Sequence, residues 1–340
     1  MSETGAPVSR QFHLAARPHG LPKPGDWRYV ESPVRALEDG EVLVETLYLS
    51  LDPAMRGWMN DRKSYIAPVA IGTVMRAGGA GRVLASRHPA FAPGQAVTGS
   101  LGVQTHAVMP GKALRAVDGS VAPLPVFLNA LGMPGFTAYF GLLDVGRPKA
   151  RDTVVVSAAA GAVGSLAGQI AKLHGCRVVG IAGGPEKCRY VVDDLGFDAV
   201  IDYKAGGVRD ELERLCPTGV DIYFDNVGGE ILDLVLAKLA VHARVVICGA
   251  ISQYNATGSV RAPANYLSLL ANRSSMQGFI VFDYAARYAE AEAKLAAWLA
   301  AGKLVAREDV VRGLERFPEA LNKLFTGENF GKLVLQVKEP

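Results

Sequence analysis

Residues 157–165 read Ser-Ala-Ala-Ala-Gly-Ala-Val-Gly-Ser. Against the pattern Gly-x-Gly-x-x-Gly, Gly161 and Gly164 match and Ala159 stands at the first glycine. Glycines at those places serve a tight turn, close backbone approach to a pyrophosphate, and close packing of a helix on a strand. The N-terminus of that helix then offers free N–H groups and the positive end of its dipole to phosphate. A bare Gly-x-x-Gly says little. Lying between an apolar run and a helical segment, inside a βαβ pattern, it indicates a dinucleotide site.

The next signal lies further along. Enzymes that use NAD place an acidic residue about 20 positions past the glycines, on the ribose 2′-hydroxyl. Here the segment reads Ile181-Ala182-Gly183-Gly184, with no carboxylate to repel a 2′-phosphate. Lys187 follows Glu186, and Arg189 is close by. A lysine can meet phosphate as a point charge, so NADPH is the expected cofactor. The plainer alternative for Lys187 and Arg189 is a solvated helix face.

Other chemistries find less support. The four cysteines, Cys176, Cys188, Cys216 and Cys248, stand singly, none precedes residue 176, and no pair has CxxC spacing. His13, His19, His88 and His106 lack ligand spacing, so no metal site is expected. A Gly-x-Ser-x-Gly nucleophile elbow is absent.

The elements that must position these residues change character along the chain. Up to about residue 125 the sequence is rich in Gly and Pro, with β-prone runs at 41–49, 81–85 and 95–99. Turn signals such as Pro93-Gly94 and Pro110-Gly111 separate them, which predicts an all-β subdomain, a small partly open barrel. From Thr153 apolar runs at 153–157, 177–182, 198–202, 220–226, 243–249 and 276–281 read as strands. They alternate with helical segments, one ending near 174 and others at 185–195, 208–215, 230–239 and 284–301. Strands apolar throughout and alternating with helices predict an α/β fold with a doubly wound parallel sheet, covered on both faces. Residues 331–337 alternate again and are expected to return to the first domain.

Composition sets the frame. A chain of 340 residues suggests about two domains. With 49% hydrophobic and 20% charged residues it is ordinary globular material. A net charge of +3 gives no reason to expect nucleic acid. The apolar window 153–171 is broken by Ser157, Gly161, Gly164, Ser165, Gly168 and Gln169, so no membrane span is expected there. Dispersed thiols and a start without basic and apolar leader regions point to the cytoplasm.

Several blocks together resemble a known family. They include Leu14-Ala-Ala-Arg-Pro-His-Gly20, Ser50-Leu-Asp-Pro-Ala-Met-Arg-Gly57, Leu131-Gly-Met-Pro-Gly-Phe-Thr-Ala-Tyr139 and Ala158-Ala-Ala-Gly-Ala-Val-Gly164. Gly175-Cys-Arg-Val-Val-Gly180, Gly183-Gly-Pro-Glu-Lys187, Phe224-Asp-Asn-Val-Gly-Gly229, Cys248-Gly-Ala-Ile-Ser-Gln-Tyr-Asn255 and Glu328-Asn-Phe-Gly-Lys332 continue the series. They run in order across nearly the whole chain and resemble the zinc-independent medium-chain dehydrogenase/reductase superfamily. Within it they are similar to the curcumin, prostaglandin and alkenal double-bond reductase group.

The resemblance implies a GroES-like, β-rich catalytic domain over residues 1–127, completed by 305–340, and a Rossmann NADPH-binding domain over 128–304. It implies NADPH-dependent reduction of a carbon–carbon double bond conjugated to a carbonyl, and a homodimer. Gly161, Ala162, Val163 and Gly164 match its pyrophosphate turn. Lys187 and Tyr203 match its 2′-phosphate contacts, with Gly183 in the same block. Asn226 and Asn329 match residues near the cofactor, with turn and cap roles as their alternative, and Cys248, Gly249 and Ile251 should line the ribose and nicotinamide side. Met133 and Thr137 lie where a domain-joining segment approaches the nicotinamide, with core packing as their alternative. Tyr254 matches a tyrosine often proposed to bind the substrate carbonyl or act in protonation; its alternative is a loop tyrosine that only shapes the pocket, with the nicotinamide ribose hydroxyl or water as proton donor. A phenol has an ordinary pKa of about 10, so it can donate at neutral pH.

One position departs from the family. Its Asp-Pro-Tyr-Met-Arg block has Ala54 at the tyrosine, which suggests a wider pocket for bulkier enones. Arg56 in the same block is expected as a structural ion-pair partner. Two other functions remain open: a quinone oxidoreductase of the same superfamily, and a non-catalytic protein that keeps a nucleotide site.

Overall fold

The computed structural model describes residues 7–260 and 262–339. Residues 1–6, on which the expectation about a leader rests, and the last residue of the expected catalytic domain lie outside the described residues. The chain divides into two compact units, the first holding Met1–Leu128, Glu308–Asn329 and Leu333–Pro340, the second Asn129–Arg307 and Phe330–Lys332.

The first unit opens with β1 (Val8–Leu14) and β2 (Trp27–Pro33), an antiparallel pair. There follow β3 (Glu41–Ser50), α1 (Ala54–Trp58), β4 (Gly79–Ser86), β5 (Ala96–Gly99), β6 (His106–Pro110) and β7 (Leu114–Ala116).

The second unit begins with α2 (Met133–Phe140) and then alternates. Its strands are β8 (Thr153–Ser157), β9 (Arg177–Ala182), β10 (Ala199–Asp202), β11 (Val220–Asp225), β12 (Leu239–Ile247) and β13 (Ser275–Gly278). Between them lie α3 (Ala162–Leu173), α4 (Pro185–Asp193), α5 (Val208–Leu215), α6 (Gly229–Leu236) and α7 (Ser268–Ala271), and α8 (Tyr288–Ala300) follows. The six strands are parallel, in the order β10-β9-β8-β11-β12-β13. Taken in chain order this is 3-2-1-4-5-6, the doubly wound Rossmann order, whose direction of winding reverses between β8 and β11. All five residues of β8 are buried, because β-branched side chains on both faces meet helices.

The chain then returns to the first unit through β14 (Glu308–Arg312), α9 (Phe317–Thr326) and β15 (Lys332–Gln336). The first unit's seven-stranded sheet runs β14-β15-β3-β4-β5-β7, with β6 also paired to β3. β3 explains this branching. Its outer edge takes β6 along Glu41–Glu45 and β15 along Tyr48–Ser50, while β4 covers the other edge. Phe12, Trp27, Met55, Phe317 and Leu335 share one core here, so α9 packs beneath residues more than 250 positions away.

Several expected boundaries move. The helix expected over 230–239 stops at Leu236, and β12 starts at Leu239 rather than 243. The apolar residues there satisfy both periodicities, and pairing of Val220 with Leu239 decides for strand. The helix expected from 284 begins at Tyr288, and Val281–Arg287 is 3-10. Tyr284 stacks on Phe140 at 4.6 Å, a tertiary contact that no local pattern announces. The sixth strand is Ser275–Gly278 rather than 276–281.

Candidate functional site

The glycine turn sits where β8 meets α3. Ala158 takes a left-handed conformation, φ 50°. Ala159 N–H then donates to Ile181 O at 3.0 Å, and Gly161 N–H to Ala158 O at 2.8 Å. The first bond of α3 runs from Ser165 N–H to Gly161 O, 3.0 Å. The N–H groups of Ala162, Val163 and Gly164 therefore precede it and have no acceptor inside the helix. Gly164 holds the helix against the strand. A Cβ there would lie 2.3 Å from Ala158 O. The departure at Ala159 is absorbed from the next strand: a Cβ on Gly180 would lie 2.9 Å from the Ala159 Cβ. Gly180 supplies the room that a glycine at 159 would have given. The segment Phe330–Lys332 closes on the same turn, with Gly331 N–H donating to Ala160 O at 3.0 Å.

At the end of β9, Gly183 is followed by Gly184 and the first turn of α4, which carries half-buried Lys187. Tyr203 follows β10, and its ring lies so close that a Cβ on Gly183 would be 2.6 Å from it. The strand register adds a group that sequence reasoning missed. Asp202 pairs beside Ala182, and its Oδ1 accepts Gly184 N–H at 2.8 Å and Lys204 N–H at 3.0 Å. A carboxylate is thus present at this edge, but two backbone donors occupy it. Lys187 and Tyr203 are brought to one edge, and Arg189 is an exposed residue further along α4.

At the reversal of winding, Asp225 ends β11. Its Oδ1 accepts from Tyr223 Oη (2.8 Å), Ser157 Oγ (3.1 Å), Val227 N–H (3.0 Å) and Gly228 N–H (2.9 Å). Burial pushes the Asp225 carboxyl up, against the lowering by the Gly228 and Val227 amides. It pushes the enclosed Tyr223 phenol well above its ordinary value. Asn226 is fixed by its N–H to Ser157 Oγ (2.9 Å) and its Nδ2 to Ser157 O (2.7 Å). Sequence reasoning named Asn226 but neither Asp225 nor Ser157. The signal for them was a carboxylate and a hydroxyl at the C-terminal ends of the first and fourth strands.

The 248–254 loop is tied to the same point. Cys248 and Gly249 N–H donate to Asp225 O at 2.9 and 3.1 Å, and Ile251 N–H to Asn226 O at 3.2 Å. Burial, and after it the Asp225 charge, push the Cys248 thiol up to about 12, so it is a thiol at neutral pH. Tyr254 folds back on the loop, its hydroxyl oxygen accepting Ala250 N–H at 3.1 Å. A phenol can both accept and donate a hydrogen bond, so this bond uses only its acceptor side. Met133 and Thr137 lie on α2. Met133 is exposed, with Tyr288 Oη 3.8 Å from its sulfur, and Thr137 is half-buried.

Asn329, Ala54 and Arg56 belong to the first unit. Ala54 is the first residue of α1. Arg56 is buried and donates to Gly20 O (3.0 Å), Pro18 O (2.9 Å) and Asn60 Oδ1 (2.7 Å), so it braces a loop.

Comparison with known proteins matches residues 10–117 to the N-terminal domain of oxidoreductase and residues 162–299 to a zinc-binding dehydrogenase domain. The side chains do not fit the metal in that second description: among the described residues no group of three or more His, Cys, Asp or Glu could hold a metal ion. The chain is 45% identical over 334 residues to the NADPH-dependent curcumin reductase of Escherichia coli, covering 97% of each. It is 42% identical over 300 residues to an NADP-dependent 2-alkenal reductase of Nicotiana tabacum, covering 87% of each. The structure of CurA in complex with NADPH from Vibrio vulnificus superposes with a TM-score of 0.93 at 48% identity, covering 97% of this chain and 100% of that one.

Proposed function

Because the chain belongs to the medium-chain dehydrogenase/reductase superfamily, in the zinc-independent group of curcumin, 2-alkenal and prostaglandin reductases, we propose that it reduces the carbon–carbon double bond of α,β-unsaturated aldehydes and ketones with NADPH. The donor set of the second unit suits that cofactor. The N–H groups of Ala162, Val163 and Gly164 would meet the pyrophosphate, and Lys187 and Tyr203 the 2′-phosphate. Asn226, Cys248, Gly249 and Ile251 would line the ribose and nicotinamide side, with Met133 and Thr137 of the same unit beside them. NADPH, when bound, supplies the hydride that adds to the substrate's β-carbon.

The chain's own chemistry concerns the charge and proton that follow. Negative charge develops on the substrate carbonyl oxygen, and a donor aimed at it lowers the barrier. Tyr254 is assigned that donor role, with protonation of the α-carbon completing the reduction. The observation that carries the assignment is its phenol, fixed by Ala250 N–H on the loop anchored to Asp225 and Asn226. The Cys248 thiol, undissociated, adds no competing anion beside it.

The deciding experiment is NADPH consumption with a short 2-alkenal, a bulky aryl enone, a quinone and a saturated aldehyde, each repeated with NADH. Turnover of alkenal or enone to the saturated carbonyl product supports the proposal. Turnover of the quinone alone refutes it in favour of a quinone oxidoreductase. No turnover, with no NADPH binding, refutes both.

A homodimer and a cytoplasmic location belong to the same proposal. β13 ends the second unit's sheet, and Leu267, Leu270 and Met276 are exposed near or on it, Leu270 by 78%. An open sheet edge flanked by exposed apolar side chains favours pairing with a second copy. Among the described residues no helix is long and apolar enough to cross a membrane, and the four cysteines form no disulfide.

A further inference from the structure

Arg307 lies at the end of the second unit, ahead of β14, and is exposed. Its guanidinium carbon is 3.8 Å from the centre of the Phe330 ring and 5.6 Å from that of Tyr190. Those rings meet edge to face at 4.8 Å, and Tyr190 is buried in α4. The planar cation therefore rests on an aromatic step. Among the described residues it makes no hydrogen bond or ion pair, whereas Arg35, Arg214, Arg244, Arg287 and Arg316 each meet a carboxylate. Stacking engages only the face of the guanidinium and leaves its edge of N–H donors open.

The base of this side chain is rigid. Arg307 O accepts Lys332 N–H at 2.9 Å and Asn129 Nδ2 at 3.3 Å. Its surroundings are those of the expected phosphate sites. Phe330 adjoins Gly331, which bonds Ala160 in the glycine turn. Tyr190 lies three residues after Lys187 on α4, and residues so spaced share a helix face. The pyrophosphate already has the N–H groups at the start of α3. The 2′-phosphate, a dianion, has one lysine as a point charge, and a guanidinium fork matches phosphate oxygens better.

We propose that Arg307 is a second cationic contact for the 2′-phosphate of NADPH, acting with Lys187 from a stacked position on Phe330. This rests on the NADPH reading above.

The test is fluorescence titration of NADPH and NADH into the full-length wild type and its Arg307→Ala, Arg307→Lys and Lys187→Ala variants. Arg307→Ala is expected to lower the ratio of NADPH to NADH affinity about tenfold, the loss of one charge-assisted contact, and Arg307→Lys about threefold. Melting temperature reports folding, and little change is expected for an exposed side chain whose main-chain bonds persist. A ratio in Arg307→Ala within twofold of wild type overturns the proposal. Equal weakening of both coenzymes also overturns it, by placing Arg307 at the pyrophosphate. If Lys187→Ala loses the NADPH preference and Arg307→Ala keeps it, only Arg307 is wrong. A wild type with no NADPH preference overturns the coenzyme reading itself.

Discussion

Gly164→Ala sets two physical effects against each other. In an unconstrained helix interior, alanine is favoured over glycine by about 1 kcal/mol. Here the new Cβ would lie 2.3 Å from Ala158 O and 2.9 Å from the carbonyl carbon. Carbon contacts are favourable near 3.5 Å, so the turn and the start of α3 must separate by about 1 Å. Both sides are backbone, and no flexible side chain can yield. Overpacking of this kind costs about 1–3 kcal/mol, which outweighs the propensity gain by up to about 2 kcal/mol. The larger consequence is for binding. A displacement of about 1 Å in groups that must meet a reacting or bound species can cost about a hundredfold. Affinity for NADPH, read by fluorescence titration, should therefore fall between tenfold and about a hundredfold, and the melting temperature should drop. Gly57→Ala in α1 is the control, since its Cβ would meet nothing within 4 Å. It should gain up to about 1 kcal/mol. A Gly164→Ala protein that melts above wild type refutes the close-packing argument. One that binds NADPH within threefold of wild type refutes the phosphate role of the turn.

Tyr254→Phe removes the phenol and should lower kcat with an enone by about a hundredfold while NADPH affinity stays within about twofold, measured by steady-state kinetics and titration. Ala54→Tyr should depress kcat/KM for a bulky aryl enone more than for a short 2-alkenal; equal effects on both would remove pocket width as the explanation. Cys248 has its thiol pushed up to about 12 from 9.0, so its thiolate at pH 8 is about a thousandfold scarcer than that of an unperturbed thiol. Iodoacetamide labelling of Cys248, followed by mass spectrometry, should be correspondingly slow and rise about tenfold per pH unit up to that value; labelling at the rate of a free thiol would contradict the burial. If the proposed homodimer pairs through the β13 edge, wild type should sediment as a dimer and Leu270→Glu as a monomer in sedimentation velocity; a dimeric variant would move the interface elsewhere, and a monomeric wild type would remove the dimer.

The parallel sheet was legible because its strands are short, apolar throughout and punctuated by glycine, and one helix, Val208–Leu215, fell at its expected bounds. Boundaries failed where two periodicities overlap, as at Leu239, or where a distant ring decides, as with Tyr284 on Phe140. The β-rich start was legible as strands but not as a sheet. The return of 331–337 was legible from its alternation, and the pairing of β15 with β3 bears it out, but the branching of β3 between β6 and β15 was not.

Site residues divide in the same way. Gly161, Gly164 and Lys187 were named from local motifs, and the structure places them at the β8–α3 turn and on the first turn of α4. Those defined by register could not be named in that way. Asp202 comes to Gly184 from the neighbouring strand, and Asp225 gathers donors from three segments of chain. The glycine turn makes the point most sharply. As a string it has a defect at Ala159. In the sheet the neighbouring strand answers with Gly180, and Gly331 closes the other side through Ala160. The glycine turn is thus built from three stretches spanning more than 150 residues, and the motif records one of them. A missing motif glycine is therefore weak evidence against a nucleotide site wherever a small residue on the adjacent strand can take up the added methyl.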